Sequence, residues 1–285
     1  MDRILFGDNQ FFGINHMSEE KARAQAMKFR DAGSILEVLD AAHELGIKTF
    51  MCTTHDRIDE ICDHMRSHPA RYADYEYFPC MPYAHKYANS LGQLGLFGTL
   101  KKYAPGSVVS AAFKGAMSLI NKDVYELMKL LVDAELKRFQ GLNTKVVFLQ
   151  NVVTDLLLGF RLKDLFVAFS EHVRKKYNAE AGFITMNLPA LLDLLEQAGL
   201  DNPIVCSSIN KIGFRMCGGI ELYEKTIRER RFRPIAMSIF ASGAIPAGEA
   251  IDYICRQKQI QSIVFGASSR SHIQQTKDLI GRYGV

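Results

Sequence analysis

Residues 261–279, QSIVFGASSRSHIQQTKDL, point to the fold. Ser262 to Phe265 form a short, largely β-branched and apolar run, the make-up of a strand buried on both faces of a parallel sheet. Gly266 ends the run, Ser268, Ser269 and Ser271 bring helix-capping hydroxyls, and Ile273, Thr276, Lys277 and Ile280 continue at helical spacing. A strand that passes into a helix through glycine and small hydroxyls leaves backbone N–H groups facing outward at the positive end of the helix dipole. Gly266, Ser268, Ser269 and Arg270 are therefore a candidate anion seat. A capped turn that binds nothing carries the same local chemistry. What favours the seat is its place at the end of a series of similar units.

Working back along the chain, short apolar runs alternate with helical patterns. Strands are predicted at Arg3–Phe6, Lys48–Thr53, Tyr75–Met81, Lys145–Leu149, Gly182–Thr185, Ile204–Ser207, Pro234–Ser238 and Ser262–Phe265. Helices are predicted from Ser18 to Phe29 and over Ile35–Leu45, Ile58–Met65, Val124–Phe139, Leu162–Lys175, Pro189–Ala198, Leu222–Arg230 and Gly248–Arg256. Eight parallel strands joined by right-handed crossovers close most naturally into a (β/α)8 TIM barrel. A doubly wound open sheet is the alternative, but FGDNQF after the first strand is not its G-x-G-x-x-G turn. The pattern slackens only between Tyr83 and Lys122, read as an insertion after strand three and a candidate lid. No linker divides the chain, so residues 1–285 read as one domain.

Composition narrows the classes. A net charge of +4 neither demands a nucleic-acid partner nor excludes an anionic small molecule. The basic cluster Arg228–Arg233 suits a helix C-terminus and has no accompanying nucleic-acid motif. No run approaches the ~18 apolar residues of a membrane span. The first residues, MDRILFGDNQ, lack a signal-peptide pattern, and the six cysteines include no C-x-x-C pair. Together these predict a cytoplasmic protein with reduced thiols.

VLDAAHELGIKTF, LMKLLVDAELKRFQGLNTKVVFLQN, MNLPALLDLLEQAGLDNPIVCSSIN, PIAMSIFASGAIPAGEAIDYI and SIVFGASSRSHIQQTKDL resemble, in order and spacing, successive segments of the aldo-keto reductases. The resemblance covers nearly the whole chain outside the insertion. It implies an aldo-keto-reductase-like barrel and an NADP phosphate held, if the cofactor is bound, through Gly266, Ser268, Ser269 and Arg270. It does not carry over the catalytic tetrad. The family's Asp falls on Met51, its Tyr on or beside Asp56, its Lys near Met81 and its His on Asn151. Of the polar groups that hold the nicotinamide amide, Asn187 remains, while Met186 and Ser207 replace the others and Met237 stands at the stacking aromatic. A proton donor and the partners that tune it act as one unit, so this loss removes hydride-transfer chemistry of that type.

Chemistry in such barrels sits at the C-terminal ends of the strands. Those ends offer Asp8, Asn9, Cys52, His55, Asp56, Cys80, Tyr83, His85, Lys86, Asn151, Asn187, Ser207 and Lys211. His55, Asp8, Asp56, Asn151 and His85 are the candidate catalytic groups, because imidazole titrates near neutrality and a nearby carboxylate fixes its tautomer. Asn9, Cys52, Tyr83, Asn187, Ser207 and Lys211 are the candidate pocket residues. Asp56 reads equally as a helix cap, Asp8 as a turn residue, and either lysine as solvated. A metal site built from Asp8, His16, His55 and His85 lacks any H-x-x-x-H spacing. Three functions fit: a non-redox lyase, aldolase or isomerase on an anionic substrate; an NAD(P)H oxidoreductase with a rebuilt proton donor; or a non-catalytic ligand-binding barrel.

Overall fold

In the computed structural model, which describes residues 1–13, 18–83 and 120–284, eight parallel strands close into a barrel in sequence order. The strands are β1 (Ile4–Gly7), β2 (Thr49–Thr53), β3 (Glu76–Met81), β4 (Val146–Leu149), β5 (Glu180–Thr185), β6 (Ile204–Ser208), β7 (Arg233–Met237) and β8 (Ser262–Phe265). Pairing of Ile4 with Ile263 and of Phe6 with Phe265 joins β1 to β8, which excludes the open sheet. His16, His85, Lys86 and the lid proposed within 83–122 lie outside the described residues, save for the insertion's two ends.

The helices are α1 (Glu19–Lys28), α2 (Ala32–Glu44), α3 (Arg57–Ser67), α4 (Ile120–Leu136), α5 (Asn151–Gly159), α6 (Lys163–Tyr177), α7 (Leu188–Gln197), α8 (Ile220–Glu229), α9 (Ala247–Arg256) and α10 (Arg270–Tyr283). Helices α2, α3 and α7 each bury an apolar stripe. In α9, Ala250, Ile251, Ile254 and Cys255 face inward at helical spacing. Asp31 caps α2 by accepting from the Ser34 N–H at 2.9 Å, and Pro189 sits in the first turn of α7. One helix was not expected: α5, NVVTDLLLG, follows β4 immediately.

Because strand side chains alternate, two cores form. Leu5, Met51, Phe78, Phe148, Ile184, Cys206 and Ile235 fill the barrel. Phe6, Phe50, Cys52, Met81, Val147 and Val205 face the helices. The interior is tight: a Cβ on Gly182 would lie 2.3 Å from the Phe148 ring, so glycine on β5 is what admits phenylalanine on β4. This packing fills the barrel axis and leaves the strand ends to carry chemistry.

Candidate functional site

At the end of β1 the chain turns into a short 3-10 helix (Asn9–Phe12), and Asp8, at the turn, is buried. Its Oδ2 accepts from both the backbone N–H and the hydroxyl of Thr53, each at 2.7 Å. Thr53 can do this because Met51 points into the barrel and a two-residue step brings Thr53 to the same side. Burial pushes the Asp8 carboxyl up to about 6, against the opposing effect of the Thr53 hydrogen bonds. Cys80, also facing the interior, is held well above the ordinary thiol range by burial and then by the Asp8 charge. Cys52 does not line the mouth: it is buried in the helix-facing core and, like Cys80, is kept protonated by burial.

His55 lies just beyond Thr53, in a built setting. Its ring stacks on Phe12 at 4.1 Å and 15°, and meets Tyr83 edge-on at 5.2 Å. The Arg57 N–H donates to its Nδ1 at 3.1 Å, so in the neutral ring the proton sits on Nε2. Arg57 covers the Phe12 ring at 5.3 Å and donates to the Phe29 carbonyl. Arg138, arriving from the segment before β4, donates to the carbonyls of Thr54 at 2.7 Å and His55 at 3.0 Å. Burial, followed by the charge of Asp8, raises the Tyr83 phenol above its ordinary value. Asp8, Thr53, His55 and Tyr83 thus share one region at the ends of β1, β2 and β3. Asp56 occupies the cap position of α3 but makes no side-chain cap bond, and it is exposed.

The β8 turn is a helix N-terminus with modified surroundings. Ser269 is the cap, accepting from the His272 N–H at 3.4 Å, and its hydroxyl lies 3.2 Å from that of Ser271. Arg270 is turned to Glu44, in an ion pair of 2.5 Å. Lys28, from α1, donates to the Ser268 carbonyl at 2.5 Å and supplies a cation that the local sequence could not announce. The buried side chain of Gln10 lies against Gly266, where a Cβ would fall 1.9 Å from Gln10 Oε1. Gln10 Nε2 donates to the Gly7 carbonyl at 2.8 Å, while Oε1 has no hydrogen-bond partner among the described residues.

The remaining candidates are dispersed. Asn9 is exposed, and Lys211 is exposed in an ion pair with Glu249 at 2.7 Å. Ser207 is buried, and the alternation that puts Cys206 inside turns it outward with Val205. Asn151 begins α5 and is half-buried. Asn187 precedes α7, its N–H donating to the Thr185 hydroxyl at 2.9 Å. That hydroxyl donates in turn to Asp155 at 2.5 Å, and Asp155 also accepts from the Met186 N–H at 3.1 Å. Asp155, on α5, therefore fixes the end of β5, and burial raises its pKa. No cluster of three or more metal-ligating side chains occurs among the described residues.

No family model matches the sequence, and no curated protein is significantly similar to it. Solved structures are similar in shape. PA4992 of Pseudomonas aeruginosa, provisionally placed among the aldo-keto reductases, has a TM-score of 0.59 at 10% identity, covering 99% of this chain and 90% of that one. The chain has an aldo-keto-reductase-like fold. Gox0644 gives 0.56 at 11% identity over 99% of this chain and 84% of its own. Tm1743, a thermostable aldo-keto reductase, gives 0.54 at 10% identity, with coverage of 99% and 90%. Met51 lies in the interior core and Met81 in the outer one. No helix among the described residues is long and apolar enough to cross a membrane.

Proposed function

We propose that this barrel is an enzyme of the lyase, aldolase or isomerase type, moving protons on an anionic small molecule without hydride transfer. The observation that carries the reading is Asp8: a buried carboxyl at a strand end, raised to about 6 and held by two donors from Thr53. A base is most effective when its pKa lies near the working pH, and burial has moved Asp8 to that range. Above about pH 6 Asp8 is ionised and takes the substrate proton. The phenol of Tyr83 stays protonated, and the His55 ring presents Nε2–H; these return a proton or steady a developing oxyanion. The buried thiols are held too high to act as nucleophiles, and Lys211 is paired, which favours acid–base work over covalent catalysis. The substrate's anionic group would meet the α10 N-terminus and Lys28.

A nicotinamide cofactor fits these residues poorly. Gln10 packs against Gly266, Arg270 is engaged by Glu44, and Ser207 turns away from the mouth. The test is to incubate the protein in D2O with phosphorylated hydroxycarbonyl compounds and follow proton exchange and turnover by NMR. Turnover is expected, falling by a factor on the order of 10²–10⁴ in Asp8→Asn. Turnover unaffected by Asp8→Asn, or NADPH oxidation coupled to carbonyl reduction, would overturn the reading.

A further inference from the structure

Outside the barrel mouth, α3 and the segment linking α4 to β4 enclose a cleft of about 630 Å³, lined chiefly by Asp59, Asp63, Arg66, Lys137, Arg138 and Gln140. Its charges are three cations against two carboxylates. The cations are differently placed. Arg66 is fixed, donating to the carbonyls of Gln140 at 3.1 Å and Arg138 at 2.6 Å and pairing with Asp63 at 2.5 Å. Lys137 is exposed and has no ion-pair partner among the described residues. Arg138 is only 10% exposed at its side chain, and its Nη1 is committed to the carbonyls of Thr54 and His55. Its Nε lies 3.3 Å from Asp59, close enough for an ion pair but not aligned for a hydrogen bond, and has no other partner among the described residues.

A buried guanidinium donor left without an acceptor is costly, and an anion in the cleft would relieve it. Asp59 and Asp63 are at least half exposed, so their carboxylates can swing into solvent when a better-shaped anion arrives. The same guanidinium holds the backbone on which His55 sits. Whatever engages Arg138 from the cleft is therefore linked mechanically to the imidazole.

We propose that this cleft is a second, regulatory site for a small anion bearing a phosphate or carboxylate group, held by Arg138 and Lys137. Through the Thr54 and His55 carbonyls, occupancy resets the position of His55. The regulatory arm rests on the functional reading of His55 given above; the binding arm does not. Arg138 is a positioning residue, acting through the backbone rather than on substrate.

Inorganic phosphate is the probe, titrated into the full chain at constant ionic strength. Calorimetry reads binding, and the His55 ring C–H resonance, assigned by its loss in His55→Gln, reads coupling. Saturable binding that shifts the His55 resonance is expected. Lys137→Ala should weaken it by about fivefold or more, while Arg270→Ala at the β8 turn should leave it within about twofold. Arg138→Lys, which keeps the charge but lacks the Nη1 that donates to both carbonyls, should uncouple the His55 shift from binding. Absence of saturable binding, or loss in Arg270→Ala but not Lys137→Ala, overturns the site. Binding without a His55 shift, or a shift that persists in Arg138→Lys, overturns the regulation alone. Because neither readout is turnover, failure of the proposed reaction would leave this result intact.

Discussion

Asp8 ties stability to chemistry. The folded protein keeps this carboxyl protonated up to about pH 6, whereas the unfolded chain releases the proton near 3.8. Between those values the native state binds more protons than the unfolded one, so rising pH favours unfolding. The contribution is neutral below about pH 4, grows destabilising up to about 6, and reaches on the order of 3 kcal/mol above it. Asp8→Asn can keep an oxygen for the two Thr53 donors while removing the charge. Urea melts across pH 4–8 should show it gaining stability over the parent as pH rises, with activity lost; parallel pH curves would count against a buried, raised carboxyl. Thr53→Val removes one donor to the ionised form and should push the Asp8 midpoint higher still, visible as a rightward shift in the same curves. A third residue-scale outcome concerns Gly266. Gly266→Ala would drive its Cβ into Gln10 Oε1, costing about 1–3 kcal/mol. In the Gln10→Ala background the same change should cost far less, and a double-mutant cycle measures the difference.

Among the elements, the β7–α9 turn stands out. Ser238, Ala241 and Ser242 all have positive φ, at 54°, 46° and 58°. Left-handed backbone is uncommon away from glycine, and three such residues beside the mouth are held there by the flanking elements. Ser242→Gly should raise stability by about 0.5–1 kcal/mol in thermal melts, since glycine adopts this conformation without a Cβ clash. The elements also show where sequence reading succeeds and where it stops. β8 and β2 were legible because a doubly buried parallel strand has to be a short apolar run closed by small or polar residues. α5 was not: NVVTDLLLG is two short apolar runs split by Thr154 and Asp155, a pattern that fits a strand end as well as a helix. The choice of face was equally hidden. A one-residue difference in phase sends Cys52 and Ser207 to the outer layer and Thr53 to the mouth. Asp8 read equally as a base and as a turn residue, because the Thr53 donors that hold it lie on β2, far along the chain. Lys28, Arg138 and Asp155 reach the strand ends from other elements, with no local pattern to mark them.

On the scale of the whole molecule, the barrel is one interlocked object, because each interior residue rests on strands distant in sequence. Gly182 is the sharpest case. Any side chain there meets the Phe148 ring, at 2.3–2.8 Å from three of its atoms, and that ring in turn neighbours Phe78 at 6.1 Å. β3, β4 and β5 are therefore constrained together, and a packed interior cannot absorb an added methyl without moving backbone. Gly182→Ala should cost about 1–3 kcal/mol or more, although alanine suits a strand no worse than glycine. Phe148→Leu should recover part of that loss in the double variant while being destabilising alone. If the chain folds as the single unit proposed from its sequence, helix content and tyrosine fluorescence will be lost in one coincident urea transition in every variant. Separate transitions, or a Gly182→Ala protein as stable as the parent, would mean that the ring of strands does not share one interior.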